Sequence, residues 1–248
     1  MFQRVAEQTY LIFGGTSGIG LATAQLLAAQ GARVAVCSRS AEKLEAVASS
    51  IAQPIVCLQG DIAHPQDCVD VLAQLHKQWG VVDVVINAAG VHAPRRQFTE
   101  LTTEDAEGIF SVNAVGVFNA LKASHGIFLK QGYGHYIQVS SAASDRPSVL
   151  AGCAYTGSKH AVNGMLKTVA QEVGGDNVRI SIVSPGPTET PLVDTRKEPA
   201  TDEQRSKMLR AETVAECTVF TALMPREAYV EHMMVLPSGQ QRVEPSIA

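Results

Sequence analysis

The sequence has no long apolar run, no basic block and no paired cysteine spacing. No stretch approaches the roughly 18 apolar residues that span a bilayer, and Met1 to Arg4 lead into Glu7 and Gln8 rather than into a secretory core. The chain is therefore expected in the cytoplasm, away from membranes. Five cysteines (Cys37, Cys57, Cys68, Cys153, Cys217) are scattered without a Cys-x-x-Cys, which argues against both a zinc cluster and a disulfide framework. Reduced thiols and no metal site are the expectation. A net charge of -4 with a pI near 6.0 leaves no electrostatic footprint for nucleic acid. Aromatics make up only 5 % against 46 % hydrophobic residues, so the core of this 248-residue chain falls to Val, Ile, Leu and Ala. Such a composition suits a buried parallel sheet.

Short β-branched or apolar runs alternate with amphipathic segments of helical length. Tyr10 to Phe13 precedes Ile19 to Gln30, Arg33 to Cys37 precedes Ala41 to Ala52, and Ile55 to Leu58 precedes Pro65 to Trp79. Val82 to Ile86 is followed by a long helical stretch, Thr103 to Lys130. The strand His135 to Val139, a helix from Ala154 to Val173 and the strand Val178 to Val183 come next, and Val214 to Leu223 and His232 to Leu236 close the pattern. This alternation predicts α/β architecture: a doubly wound, Rossmann-type parallel sheet of about seven strands, with helices on both faces, in one domain over 1–248. Between Pro185 and Arg210 the pattern breaks into Pro, Thr and charges, and a substrate lid is expected at 187–211.

Gly14-Gly15-Thr16-Ser17-Gly18-Ile19-Gly20 lies between the first strand and the first helix. Glycines there allow a tight turn and close approach of backbone to a pyrophosphate, which the helix N-terminus then meets with N–H donors. A glycine turn of this kind also serves as a purely structural strand-to-helix connection. At the end of the second strand, where a carboxylate would bind a ribose 2′-hydroxyl, the sequence reads Cys37-Ser38-Arg39-Ser40. A hydroxyl followed by a guanidinium suits a 2′-phosphate, although a solvated loop arginine would look the same. Asp61 is placed either to meet an adenine amino group or to cap the helix beginning near Pro65.

Tyr155 and Lys159 are four apart in a helical segment and so share one face. An ammonium beside a phenol favours the phenolate, which lets the pair move a proton near neutral pH. Ser141, read as the end of the fifth strand of the pattern, is expected to hold a substrate oxygen beside Tyr155, with Ser140 as its immediate competitor. Asn113 stands inside a long helix, where asparagine is a poor former. It serves either a water that extends the proton path from Lys159 or hydrogen bonding in the core.

Together with Asn87-Ala88-Ala89-Gly90 and Pro185-Gly186, these motifs make the chain similar to the short-chain dehydrogenase/reductase family along almost its whole length. The resemblance implies a catalytic tetrad of Asn113, Ser141, Tyr155 and Lys159. It also implies a nicotinamide cofactor held by Gly14, Thr16, Ser17, Gly18, Ile19, Gly20, Ser38, Arg39, Asp61, Ile62, Asn87, Ala88, Ala89, Gly90, Tyr155, Lys159, Pro185, Gly186, Thr188 and Thr190. A homotetramer, or a homodimer, built through the two long helices is implied as well. Three departures stand out: Phe13 where a threonine is usual, one extra residue between Ser141 and Tyr155, and a Val235-Leu236-Pro237-Ser238-Gly239-Gln240 tail in place of Asp-Gly-Gly.

The expected function is an NADP(H)-dependent oxidoreductase that interconverts a carbonyl and an alcohol, working as a reductase on a small molecule. A 3-oxoacyl thioester reductase would share every catalytic residue. An NADP(H)-binding sensor without turnover would more typically lack Tyr155 or Lys159, and both are present. His92, Arg95, Arg96, Asp145, Arg146, Cys153, Glu189 and Leu192 are candidate pocket residues.

Overall fold

Strand β1 (Thr9–Phe13) is buried at every position and lies between β2 (Arg33–Ser38) and β4 (Val84–Asn87), so Tyr10 to Phe13 meet packed neighbours on both faces while the Thr9 hydroxyl donates to Asp83 at 2.8 Å. In the computed structural model, which describes residues 5–195 and 197–241, these strands belong to a seven-stranded sheet in the order β3-β2-β1-β4-β5-β6-β9. All its pairings are parallel. The other members are β3 (Val56–Gln59), β5 (Gly134–Val139), β6 (Val178–Pro185) and β9 (His232–Val235). Residues 1–4, 196 and 242–248 of the expected 1–248 domain lie outside the described residues, and Arg196 falls within the segment expected to be a lid.

Strand alternation divides the interior into two cores. Leu11, Phe13, Ala35 and Val85 pack on one face with α3 (Pro65–Trp79), α5 (Gly116–Gln131) and α6 (Cys153–Glu172). Tyr10, Ile12, Val34 and Ile86 pack on the other with α1 (Gly18–Ala29), α2 (Ala41–Ser50) and α8 (Ala211–Ala222). The doubly wound fold is thus as expected. Helix ends follow local chemistry: Pro65 opens α3, Gly80 closes it at φ 79°, and Thr102 with Asp105 forms a capping box for α4 (Thr103–Phe110).

The long helix expected over Thr103 to Lys130 is interrupted. A π-turn at Ser111–Val115 separates α4 from α5, and Asn113 sits within it. The segment expected to be a lid also has structure of its own: β7 (Thr188–Glu189) pairs in parallel with β8 (Leu209–Arg210), and the short α7 (Asp202–Ser206) lies between them.

Strand order reverses between β1 and β4, which opens a crevice at the carboxyl ends of the central strands. The glycine turn, Asn87 to Gly90 and Ser141 all lie at the carboxyl ends of strands on that edge. Among the described residues, no helix is long and apolar enough to cross a membrane, and no group of three or more His, Cys, Asp or Glu could hold a metal ion.

Candidate active site

The glycine turn packs directly on the segment after β4. Gly14 has φ 74°, and a Cβ there would lie 2.6 Å from the Ala89 nitrogen; a Cβ on Gly20 would lie 2.2 Å from the Gly14 carbonyl oxygen. Only glycine allows this approach. The hydroxyl of Ser17, which precedes α1, makes no capping bond, and the first turn of α1 carries no acidic residue. Its N–H groups and dipole thus face the turn without a competing carboxylate on the helix. Thr190, at the start of the 187–211 segment, lies against Gly18, where a Cβ would be 3.0 Å from its methyl group.

Asn87 organises the opposite wall. Fully buried, it accepts from the Ala89 N–H at 3.1 Å, donates to the Tyr136 hydroxyl at 3.1 Å, and accepts at its carbonyl from Gln138 at 3.1 Å. At the end of β2, Thr16 Oγ1 donates to Ser38 Oγ at 3.1 Å. The Arg39 guanidinium lies 3.6 Å from the Asp61 carboxylate, which also accepts from the Ala63 N–H at 2.9 Å. Asp61 therefore caps a local turn; the N-cap position of α3 belongs to His64. Ile62 is fixed by Asn119, which donates to its carbonyl at 2.9 Å, and by the close approach of Gly116 to its side chain.

Asn113 is buried and committed through its side chain. Its Oδ1 accepts from the Val91 N–H at 2.8 Å and its Nδ2 donates to the Val91 carbonyl at 3.0 Å, with Ser158 Oγ at 3.4 Å. The core hydrogen bonding foreseen as one alternative is thus made. Gly90 lies between the members of the group: a Cβ there would be 3.5 Å from Asn113 Oδ1 and 3.8 Å from Lys159 Nζ.

Ser140 and Ser141 diverge just past the end of β5. The Ser140 hydroxyl is buried and donates to Asn163 Oδ1 at 2.9 Å, whereas the Ser141 hydroxyl lies against Tyr155 and accepts from the Ala143 N–H at 3.1 Å. Ser141, with β5 ending at Val139, caps the short turn Ala142–Ser144 rather than ending the strand.

Tyr155 and Lys159 are adjacent, with Nζ 5.6 Å from the ring centroid. The expected depression of the phenol pKa by this lysine is not what the geometry gives. Burial raises the Tyr155 pKa above 10, and the hydrogen bond from Ser141 and the charge of Arg96 pull it partly back. Burial also lowers the Lys159 ammonium from 10.5 to about 8. Loss of solvation is the largest cause for both groups, Lys159 being buried and Tyr155 half-buried.

Beneath the serines runs a polar network of which the sequence reading singled out only Asp145 and Ser140. Asn163 donates to Ser144 Oγ at 2.7 Å, Ser144 donates to Asp145 at 2.9 Å, and His232 lies 2.8 Å from Ser184 Oγ and 3.5 Å from Asp145. Asn163 carried one legible signal, since it lies eight residues beyond Tyr155 and so on the same helix face. His232 carried none. Of the candidate pocket arginines, Arg95 is paired with Asp105 at 2.8 Å, while Arg96 donates to the Ala93 carbonyl at 3.2 Å and to Thr195 Oγ1 at 3.1 Å. The 187–211 segment is further fastened by Lys197 to Glu100 at 3.1 Å and by Arg205 to Asp194 and Glu189.

Residues 8–201 match the family described as short chain dehydrogenase. A 3alpha-hydroxysteroid dehydrogenase of Mediterraneibacter gnavus is 32 % identical over 200 residues, which cover 78 % of each chain. A 2,3-dihydro-2,3-dihydroxybenzoate dehydrogenase of Bacillus subtilis is 34 % identical over 184 residues, covering 73 % of this chain and 70 % of that one. Among solved structures, an alcohol dehydrogenase from the archaeon Thermococcus sibiricus complexed with 5-hydroxy-NADP superposes with a TM-score of 0.83 at 26 % identity, over 95 % of this chain and 98 % of that one. A metagenomic short-chain oxidoreductase in complex with NADP gives 0.77 at 25 % identity, over 93 % and 97 %.

Proposed function

The chain belongs to the short chain dehydrogenase family, and from that premise we propose that it is an NADP(H)-dependent reductase of a small carbonyl compound. The observation that carries this reading is the gathering of Ser141, Tyr155, Lys159 and Asn113 beside a glycine cradle that a Cβ would fill.

The pyrophosphate would be held by Gly14, Thr16, Ser17, Gly18, Ile19 and Gly20, and the adenosine by Ser38, Arg39, Asp61 and Ile62. Asn87, Ala88, Ala89 and Gly90 would line the middle of the cofactor. Tyr155, Lys159, Pro185, Gly186, Thr188 and Thr190 would surround the nicotinamide end. When bound, the cofactor supplies a hydride to the substrate carbonyl carbon. The Tyr155 phenol gives its proton to the carbonyl oxygen, and the Ser141 hydroxyl holds that oxygen in place. Lys159 would hold the nicotinamide ribose and return a proton to the phenol, and a water near Asn113 would continue the proton path. The same Tyr155 would act as acid in one direction and base in the other, so reduction is favoured only through the proposed NADP(H) preference.

Two neighbours bound to NADP-type cofactors support the cofactor choice, as do Ser38 and Arg39. We assign the segment 187–211 to a substrate lid because Thr190 rests on the glycine turn and Thr195 on Arg96. The exposed Phe110, Val115, Phe118 and Leu129 on α4, the π-turn and α5 support a homotetramer or homodimer through these helices. Five free thiols fit a reducing compartment such as the cytoplasm.

Titration with NADPH, followed by a screen of ketones, aldehydes and one acyl thioester for cofactor oxidation, tests cofactor, turnover and substrate class together. Binding with no oxidation of NADPH by any carbonyl would contradict the reading.

A further inference from the structure

The imidazole of His92 stacks on the Tyr155 ring, with centroids 4.5 Å apart and planes 3° from parallel. We infer that His92 is a positioning residue that sets the plane of the Tyr155 phenol, and that the π-turn at Asn113 holds it there. This rests on the reading of Tyr155 as the proton donor.

The loop carrying His92 is fastened on both sides of it. On one side, Asn113 grips the N–H and carbonyl of Val91 at 2.8 and 3.0 Å, so the residue before His92 cannot shift without breaking two bonds to a buried amide. On the other, Arg96 donates to the Ala93 carbonyl at 3.2 Å, and its own backbone lies against Gly152, where a Cβ would sit 2.3 Å from the Arg96 carbonyl oxygen. Gly152 is the N-cap of α6, three residues before Tyr155, and its φ of 78° suits glycine. The loop is thus locked to the π-turn and to the start of the helix that bears Tyr155, and between these anchors the two rings meet face to face.

A phenol oxygen lies at the far end of its side chain, so a small tilt of the ring moves the reacting atom the most. Proton transfer needs hydrogen-bond reach, and a misplacement of about 1 Å costs about a hundredfold. A flat neighbour limits that tilt. Asn113 then acts on the phenol through Val91 and His92, in addition to any water it holds.

The test compares His92→Ala with His92→Phe, which restores a flat ring without a titratable nitrogen. NADPH affinity serves as the check on folding. The rate is followed with NADPH and 4-nitrobenzaldehyde, or a better carbonyl from the screen. In parallel, protein with ring-labelled tyrosine gives an NMR signal for Tyr155, assigned by its loss in Tyr155→Phe. We expect His92→Ala to bind NADPH within about twofold of the parent, to lose about three- to tenfold in kcat and to shift the Tyr155 signal. His92→Phe should recover most of the rate and the signal. An unmoved Tyr155 signal in His92→Ala, an unchanged kcat, or a His92→Phe as slow as His92→Ala would each overturn the proposal. A parent protein that turns over no carbonyl would instead overturn the reading of function, and the ring signal would still decide whether His92 holds Tyr155.

Discussion

Arg39 reaches back to Asp61, its guanidinium 3.6 Å from the carboxylate and its side chain still 62 % exposed. An exposed pair of this kind contributes about 0–1 kcal/mol, whereas a charge-assisted bond to a phosphate is worth about 1.5–3 kcal/mol. The phosphate wins the exchange, so Arg39 should turn from Asp61 to a 2′-phosphate. The expected preference is roughly ten- to a hundredfold for NADPH over NADH in kcat/KM. Arg39→Ala should remove most of it by weakening NADPH alone, and Ser38→Asp should erode or reverse it. A parent enzyme that prefers NADH on the same substrate would contradict the assignment.

The two serines give a paired prediction. Ser141→Ala should lose at least about tenfold in kcat, the worth of one hydrogen bond to a developing charge. Ser140→Ala should keep the rate. Because it leaves Asn163 short of a partner in the buried network, it should instead cost about 1 kcal/mol, a fall in Tm of about 2–4 °C. The reverse ranking in steady-state kinetics would exchange the two roles.

Lys159 sets the alkaline side of the pH profile. Burial disfavours its ammonium, so the charged form dominates below about 8 and is lost above it. The kcat/KM for NADPH should accordingly fall as pH rises through about 8, since this parameter reports the unliganded enzyme. Lys159→Arg, which stays charged, should move that decline upward even if its rate is lower. Arg96→Ala should raise the phenol pKa further by removing a positive charge near Tyr155. A profile flat from pH 7 to 10 would contradict the Lys159 assignment.

What the sequence made legible was local. The glycine turn, the Asn87 to Gly90 turn and the i, i+4 pair of Tyr155 and Lys159 depend on residues close along the chain, and the β/α alternation recorded the two-faced burial of the sheet. What it concealed depended on distant partners. Nothing near Arg39 announces Asp61, nothing near Asn163 announces Ser140, and nothing near His232 announces Ser184 and Asp145. The π-turn was hidden because the sequence from Thr103 to Lys130 keeps a helical pattern throughout, and the extra turn residue shows itself in the backbone bond from the Gly116 N–H to the Ser111 carbonyl. The electrostatic expectation for Tyr155 missed its sign because spacing reports adjacency and not burial.

The lid assignment predicts protection. NADPH should shield residues 187–211 from limited proteolysis, because Thr190 rests against the glycine turn that would hold the pyrophosphate. Equal cleavage of this segment with and without NADPH would contradict it.

As the proposed proton donor, Tyr155 contributes its hydroxyl to the chemistry and its ring to the wall of the cofactor pocket. Tyr155→Phe keeps the ring and removes the hydroxyl, so its single-turnover rate of NADPH oxidation, measured beside its NADPH dissociation constant, separates chemistry from binding. Tyr155→Phe should lose at least about a thousandfold in rate, within the range of general acid catalysis, and keep a dissociation constant within about threefold of the parent. A Tyr155→Phe protein that keeps most of the parent rate would contradict this role.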